Sequence, residues 1–237
     1  MRKAKGEYIS FLDSDDFWDK EFLKLSYLKL KENYKFVYTN FYYLYESNKL
    51  KKSYCCNKNG YLNDFISNAK SRYEFIFPFC VGCVVIEKSL LEIYKINFPE
   101  KQFLFEDVLF FAELLCITKS GFVENTMAYY RQHKESKTHE KYTSEYYLQE
   151  LIYLNSLLIF IDKILKREIS GNMKKVIYYR TYRIIWRIIK SGDVDRGIEL
   201  IKKYRKRLKK FGNIKDFKWN DRLKCKIFLL NNKFLLN

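Results

Sequence analysis

The stretch "YISFLDSDDFWD" (Tyr8–Asp19) governs how the rest of the chain is read. Its apolar start is short and continuous, the pattern of a strand buried in a sheet. Asp13, Asp15 and Asp16 then fall within four positions. Aspartate favours solvated turns and helix N-caps, so such a cluster is often no more than a turn. Carboxylates just past the carboxyl end of a strand in an α/β sheet, however, face the crevice where ligands bind. Two of them one residue apart suit a hard divalent cation, and that cation can neutralise a diphosphate.

These acidic residues sit in a basic chain. The 237 residues carry a formal net charge of +17, with 48% hydrophobic and 31% charged residues, a globular balance without the signature of disorder. The charge is uneven: residues 145–237 hold 23 Lys/Arg against 9 Asp/Glu, and residues 1–144 are close to balanced. Such asymmetry points to an anionic partner for the C-terminal part. No nucleic-acid motif accompanies the basic residues, so a membrane surface is expected and nucleic acid is not.

Hydrophobic periodicity divides the chain at the same place. "EYISFL" reads as a strand, "DKEFLKLSYLKLKEN" as a helix with Asp19 at its start, and "KFVYTNFYYLYE" as β-rich. After a turn at "NKNG" come a short helix in "NDFISNAK", a strand passing into a helix in "FIFPFCVGCVVIEKSLLEIY", and a strong helix in "FEDVLFFAELLCITKS". "GFVENTMAYYRQH" reads as a strand pair. From Ser144 onward the chain turns to long helices. In "MKKVIYYRTYRIIWRIIK" (Met173–Lys190), Arg180, Arg183, Arg187 and Lys190 share one arc, opposite Ile177, Ile184, Ile185 and Ile188, and this helix and the run "KKYRKRLKK" (Lys202–Lys210) are expected to meet an anionic bilayer. Two domains are expected, residues 1–143 and 144–237.

Cys80 and Cys83 have the spacing of half a zinc site or of a redox pair. Adjacent Cys55 and Cys56 are poorly placed to supply a second ligand pair, and the surrounding sequence reads as strand. Buried, reduced small hydrophobes are the expectation. The longest apolar run, "LNSLLIFI" (Leu154–Ile161), falls short of the roughly 18–20 residues a spanning helix needs, and no signal peptide is recognised.

Three segments carry a family resemblance. "AKGEYISFLDSDDFWDKEFL" (Ala4–Leu23) resembles the central segment of family 2 glycosyltransferases, where a glycine-led strand ends in the aspartate motif D-x-D. "FLFEDVLFFAELL" (Phe103–Leu115) resembles that family's acidic pair at a helix start, and "AYYRQHKESKTH" (Ala128–His139) its closing Tyr-Arg-x-His strand. The resemblance implies an α/β fold: a partial GT-A (Rossmann-like) domain followed by a basic helical extension. It implies transfer of a sugar, with inversion, from a nucleotide-sugar donor to a hydroxyl of a glycan or glycolipid acceptor in bacterial surface polysaccharide or lipo-oligosaccharide synthesis. Asp13 would approach the donor ribose, Asp15 would bind Mn²⁺ or Mg²⁺ bridging the diphosphate, and Asp16 would support the turn. Asp107 would be the general base, Arg131 a phosphate contact and His133 a metal ligand. A cytoplasmic protein, peripheral at the inner face of the plasma membrane, is implied.

The match departs at the start. Family members begin with strands ending in Pro-x-Tyr-Asn-like and Asp-Asp-Gly-Ser-like segments that build most of the nucleoside pocket, and nothing here corresponds to them. A truncated domain, inactive by itself, is therefore expected. The alternative is a non-catalytic binding module of the same family.

Overall fold

The computed structural model describes residues 3–53, 57–67, 74–75, 79–100, 104–132, 143–161 and 171–212. The chain forms two compact units. The first comprises Met1–Phe65, Ile76–Lys101 and Glu106–His139; the second comprises Ile66–Phe75, Gln102–Phe105 and Glu140–Asn237.

In the first unit, β1 (Tyr8–Ser10), β2 (Phe17–Trp18), β3 (Phe36–Tyr45) and β4 (Leu50–Lys52) lie in one mixed sheet. The sheet is completed by strands formed by Val84–Glu87 and Ser120–Gln132, here β7 and β8 because a separate two-stranded ribbon, β5 (Ile66–Ser67) and β6 (Glu74–Phe75), precedes them in the chain. The strand order is β1-β7-β3-β8-β2, with β4 paired to the far end of β3. β3 and β8 run parallel, and the other pairs are antiparallel. β1, which carries the aspartates at its carboxyl end, therefore stands at one edge.

The expected strand pair in "GFVENTMAYYRQH" is one strand. The register against β3 slips between Tyr38 and Asn40, and Asn125 takes a left-handed conformation (φ 61°) within the irregularity. Asparagine tolerates that region because its short polar side chain can bond locally. The Glu-Asn-Thr signal that looks like a turn in sequence is thus a bulge, and the chain continues in the same direction.

Helix α1 (Phe22–Lys31) covers β8 and β3, α2 (Lys88–Tyr94) follows β7, and α3 (Glu106–Ile117) precedes β8. The core is aromatic. Phe79 packs against Phe36, Tyr38 and Phe111 with ring centroids 4.7–5.5 Å apart. Phe36, Tyr38 and Phe111 are almost fully buried.

The second unit holds β5, β6 and the helices α4 (Ser144–Ile159), α5 (Gly171–Lys190) and α6 (Val194–Gly212). Thr143 caps α4 by accepting the Tyr146 amide. α5 packs on both α4 and α6, and its Ile177, Ile184, Ile185 and Ile188 are buried. At Gly197 of α6 a Cβ would collide with the Ile189 side chain of α5, so glycine permits this approach of the two helices.

The basic arc expected on α5 is a different object in three dimensions. Arg180 pairs with Glu150 of α4, which is fully buried. The Arg187 guanidinium lies over the Tyr147 ring at 5.4 Å, and the Lys190 ammonium over Trp186 at 5.5 Å. On α6, Lys202, Lys203 and Lys206 of the expected basic run are exposed, with the Lys203 ammonium over the Tyr204 ring at 5.6 Å, while Leu200, Ile201 and Tyr204 are buried. No described helix is long and apolar enough to cross a membrane.

Candidate active site

The aspartate cluster is a turn closed by its own backbone, the Asp16 amide donating to the Asp13 carbonyl at 3.1 Å. Asp13 is exposed, while Asp15 and Asp16 are half-buried. Asp16 does not point to solvent. Its Oδ1 accepts the backbone N–H of Arg131 on β8 at 2.8 Å, and the Arg131 Nε donates to the Asp15 carbonyl at 3.0 Å. Loss of solvent pushes the Asp16 carboxyl up to about 6, with the charges of Asp15 and Asp13 adding to the rise and the Arg131 N–H opposing it.

A second tie runs from the other flank. The Trp18 indole N–H donates to the Gly82 carbonyl at 2.6 Å, and a Cβ on Gly82 would lie 3.7 Å from Asp16 Oδ2. Gly82 belongs to a 3₁₀ turn, Val81–Cys83, which precedes β7. The Cys80–Cys83 spacing is part of that turn: Cys83 Sγ accepts the Cys80 N–H at 2.9 Å, and both thiols are free. Burial holds the Cys83 thiol well above its usual range, so it packs as a small hydrophobe. Cys55 and Cys56 lie outside the described residues.

Asp19, expected at the start of a helix, does something else. Its Oδ2 accepts the Met127 N–H at 2.8 Å and its Oδ1 the Tyr129 hydroxyl at 3.0 Å, while its own N–H donates to the Met127 carbonyl. The helix begins at Phe22. Asp16 and Asp19 thus fasten both ends of β2 to β8, and neither role has a sequence signature.

Asp107 lies in the first turn of α3, half-buried, with its Oδ1 accepting the Val108 N–H at 2.7 Å. Burial raises its carboxyl above the ordinary range, and neighbouring Glu106 adds to this. The segment after β1 meets α3 through aromatic rings: Phe11 is edge-on to Phe110 at 6.0 Å and to Phe98 at 5.3 Å, and Phe98 stacks on Phe110 at 4.3 Å. Phe11 is two residues before Asp13, and Phe110 is three residues after Asp107. Packing therefore joins the segments that carry the two sets of acidic residues, which the sequence separates by more than ninety positions. His133 lies outside the described residues.

Among the described residues, no three Asp, Glu, His or Cys side chains gather closely enough to hold a metal ion. A hard cation of the Mg²⁺ type commonly takes one or two carboxylates, with substrate phosphates and water completing its shell. Asp15 supplies one such carboxylate, in the same turn as Asp13. The like charge crowded at this turn is the kind a cation relieves.

Comparison with known proteins bears on the same segment. Residues 1–93 match the family model described as Glycosyl transferase family 2. Over 106 residues the chain is 29% identical to UDP-Glc:alpha-D-GlcNAc-diphosphoundecaprenol beta-1,3-glucosyltransferase WfgD of Escherichia coli, covering 43% of this chain and 37% of that protein. The matched segment thus spans little more than a third of this relative's length. Among solved structures, the chain resembles S. aureus TarS 1-349 in complex with UDP at 14% identity and a TM-score of 0.45, covering 86% of this chain and 68% of that one. A second structure of S. aureus TarS 1-349 gives the same identity and TM-score, with 61% of that chain covered.

Proposed function

We propose, from the membership of residues 1–93 in glycosyl transferase family 2, that this chain serves metal-dependent, inverting transfer of a sugar from a nucleotide-sugar donor to a hydroxyl of a lipid-linked glycan in bacterial surface polysaccharide synthesis. The observation that carries the reading is the fastening of the aspartate turn. Asp16 and Arg131 bind the turn to β8, and Trp18 ties it to Gly82, so Asp13 and Asp15 are held at the end of β1 before any ligand arrives. Preorganised groups of this kind lose little on binding a diphosphate.

The roles follow from that placement. Asp13, exposed at the lip of the turn, takes the donor ribose, and Asp15 takes the metal. Mn²⁺ or Mg²⁺, when bound, neutralises charge that develops on the departing nucleoside diphosphate. Arg131 has one N–H engaged on Asp15, which orients its guanidinium for a phosphate oxygen. His133, two residues beyond, is the further metal ligand proposed. Asp107 is the base: burial that disfavours its charge also makes it a better proton acceptor once ionised. It takes the proton of the acceptor hydroxyl as that oxygen attacks the anomeric carbon opposite the leaving diphosphate, and attack from that side inverts the centre.

The relative's name states a UDP-Glc donor and a diphosphoundecaprenol-linked acceptor, so a UDP-sugar and a lipid diphosphate glycan are the substrates to try first. A lipid-linked acceptor also gives the exposed lysines of α6 a purpose, as a peripheral contact with an anionic bilayer. Transfer is assayed with UDP-, GDP- and CMP-sugars and Mn²⁺, using the 237-residue chain and the same chain extended by any in-frame upstream coding sequence. Mn²⁺-dependent product from either supports the reading. Product from neither overturns it.

A further inference from the structure

Five described residues other than glycine have a positive φ, and four of them have an ordinary reason. Asn33, Asn48 and Asn125 are asparagines, which tolerate the left-handed region, and Lys95 closes α2 as its left-handed C-cap. Phe105, at φ 63°, has neither reason. A bulky side chain in this region is a strained outlier that persists only where its surroundings hold it, and such outliers gather at functional sites. The hold on Phe105 is visible. Its ring stands edge-on to Tyr146 at 5.1 Å and tilted against Tyr153 at 5.5 Å, and Tyr153 is buried. The next two residues are Glu106 and Asp107, the first two of α3. Phe105 thus occupies the position before the helix, where its side chain offers no oxygen to the first amides. Asp107 itself takes one of them, its Oδ1 accepting the Val108 N–H at 2.7 Å. The place of the carboxylate is therefore tied to the geometry of the first turn, and that turn starts from the strained residue.

We propose that Phe105 is a positioning residue for Asp107: its packed ring keeps the backbone left-handed, and that backbone sets the direction in which α3 begins and where the Asp107 carboxylate stands. The role deepens the transferase reading and rests on Asp107 as its base. A residue at this position without the ring contacts relaxes to the right-handed or extended backbone that L-residues favour. A swing of φ by roughly 120° at one residue re-aims the bond into Glu106 and the first turn attached to it. A base must stand in line with the hydroxyl it deprotonates, and a displacement of about 1 Å costs on the order of a hundredfold in rate. Phe105 does not act on the substrate; it acts through Asp107. Donor binding is expected to be indifferent to it, because the turn that carries Asp13 and Asp15 is fastened by its own ties through Asp16, Arg131 and Trp18.

The test pairs amide hydrogen exchange on the 237-residue chain with kinetics on whichever form transfers sugar. In the wild type the Val108 amide, a first-turn group that would otherwise exchange freely, is expected to be protected by its bond to Asp107. In Phe105→Ala that protection falls at least about tenfold, while the amides of Leu114 and Leu115 further along α3 keep theirs. Phe105→Tyr retains the ring and the protection. In the transfer assay Phe105→Ala lowers kcat at least about tenfold with KM for the donor within about twofold, and Phe105→Tyr restores kcat. The far-UV spectrum and melting point check the fold. Tyr146→Leu, which removes one ring contact and leaves Phe105 in place, gives a smaller loss of the same kind. Unchanged Val108 protection in Phe105→Ala overturns the positioning role, and exchange decides this even if neither form transfers sugar. Loss of protection along the whole of α3 also overturns it, since Phe105 would then be purely structural. Equal loss of kcat in Phe105→Tyr does the same, because the ring would not be what acts. Should Phe105→Ala fail to fold, unchanged Val108 protection in Tyr146→Leu is the result that refutes the proposal. Lost Val108 protection beside normal turnover in Asp107→Asn leaves Phe105 holding the carboxylate and counts against the base assignment alone.

Discussion

Asp16 and Arg131 hold each other across 115 positions of sequence: the carboxylate accepts the arginine's backbone N–H at 2.8 Å, and the guanidinium reaches back to the carbonyl of the preceding Asp15 at 3.0 Å. A hydrogen bond to an ionised acceptor contributes about 1.5–3 kcal/mol, enough to fix a four-residue turn. The Asp16 carboxyl, at about 6, takes up a proton under mildly acidic conditions. Its ionised form is the one that draws a cation to the turn and grips the N–H most strongly. Mn²⁺-dependent affinity for UDP is therefore expected to fall as pH drops through 6, and this inflection should vanish in Asp16→Asn. Calorimetric titration between pH 5 and 8 measures it; an inflection kept in Asp16→Asn assigns the proton elsewhere.

Asp15 and Asp107 are expected to fail differently. Asp15→Ala should abolish Mn²⁺-dependent donor binding. Asp107→Asn should leave donor affinity within about twofold while turnover drops by two orders of magnitude or more, because removing a base acts on the chemical step. Donor titration paired with product formation separates them. Near-normal turnover by Asp107→Asn would remove that residue from the mechanism.

Glu113 on α3 gives a stability prediction with a definite sign. Burial alone pushes its carboxyl from 4.5 up to about 7. Between those values the folded chain binds more protons than the unfolded chain, so stability declines as pH rises. The stabilisation of the protonated form is fully present below about pH 4.5 and is lost as pH rises through about 7. Glu113→Gln should melt higher than wild type by a few degrees at pH 8, with the difference closing toward pH 4. A constant difference across that range would refute the assignment.

The Glu150–Arg180 pair predicts a large loss in the second unit. Glu150 is fully buried, and its Oε2 has no hydrogen-bond partner. Arg180→Met leaves that carboxylate without its cation and should cost about 3–5 kcal/mol, whereas Arg180→Met with Glu150→Leu should recover most of it. Denaturant melts of the single and double variants give both numbers.

For the membrane contact, Lys202→Glu, Lys203→Glu and Lys206→Glu together should end flotation with anionic vesicles at low salt, since each charge near such a surface is worth about 1 kcal/mol or less. Replacing Arg187 should matter little, because it is already engaged with Tyr147. Wild-type chain that stays at the bottom of the gradient would exclude the contact.

Much of this molecule is local and so was legible in the sequence. The strand before Asp13, the helices beginning near Phe22 and Glu106, and the helical character beyond Ser144 all follow from hydrophobic period and residue type, which act over a few neighbours. The aspartate cluster and the Glu106–Asp107 pair were likewise visible as short patterns with a chemical rationale. What the sequence could not show depends on which distant backbone lies alongside. Asp16 and Asp19 read as turn and cap residues, and became ties to β8 because antiparallel pairing brought Arg131 and Met127 within reach. The stacking of Phe17 on Tyr129 likewise depends on the pairing of β2 with β8, which no local pattern announces. The arginines of α5 looked like a face for an anionic membrane, and α4 sets Glu150 beside Arg180 and Tyr147 beside Arg187. Periodicity determines which way a side chain points from its own element, but its partner is decided by register and packing, and those arise only when elements far apart in the chain bury their apolar faces together.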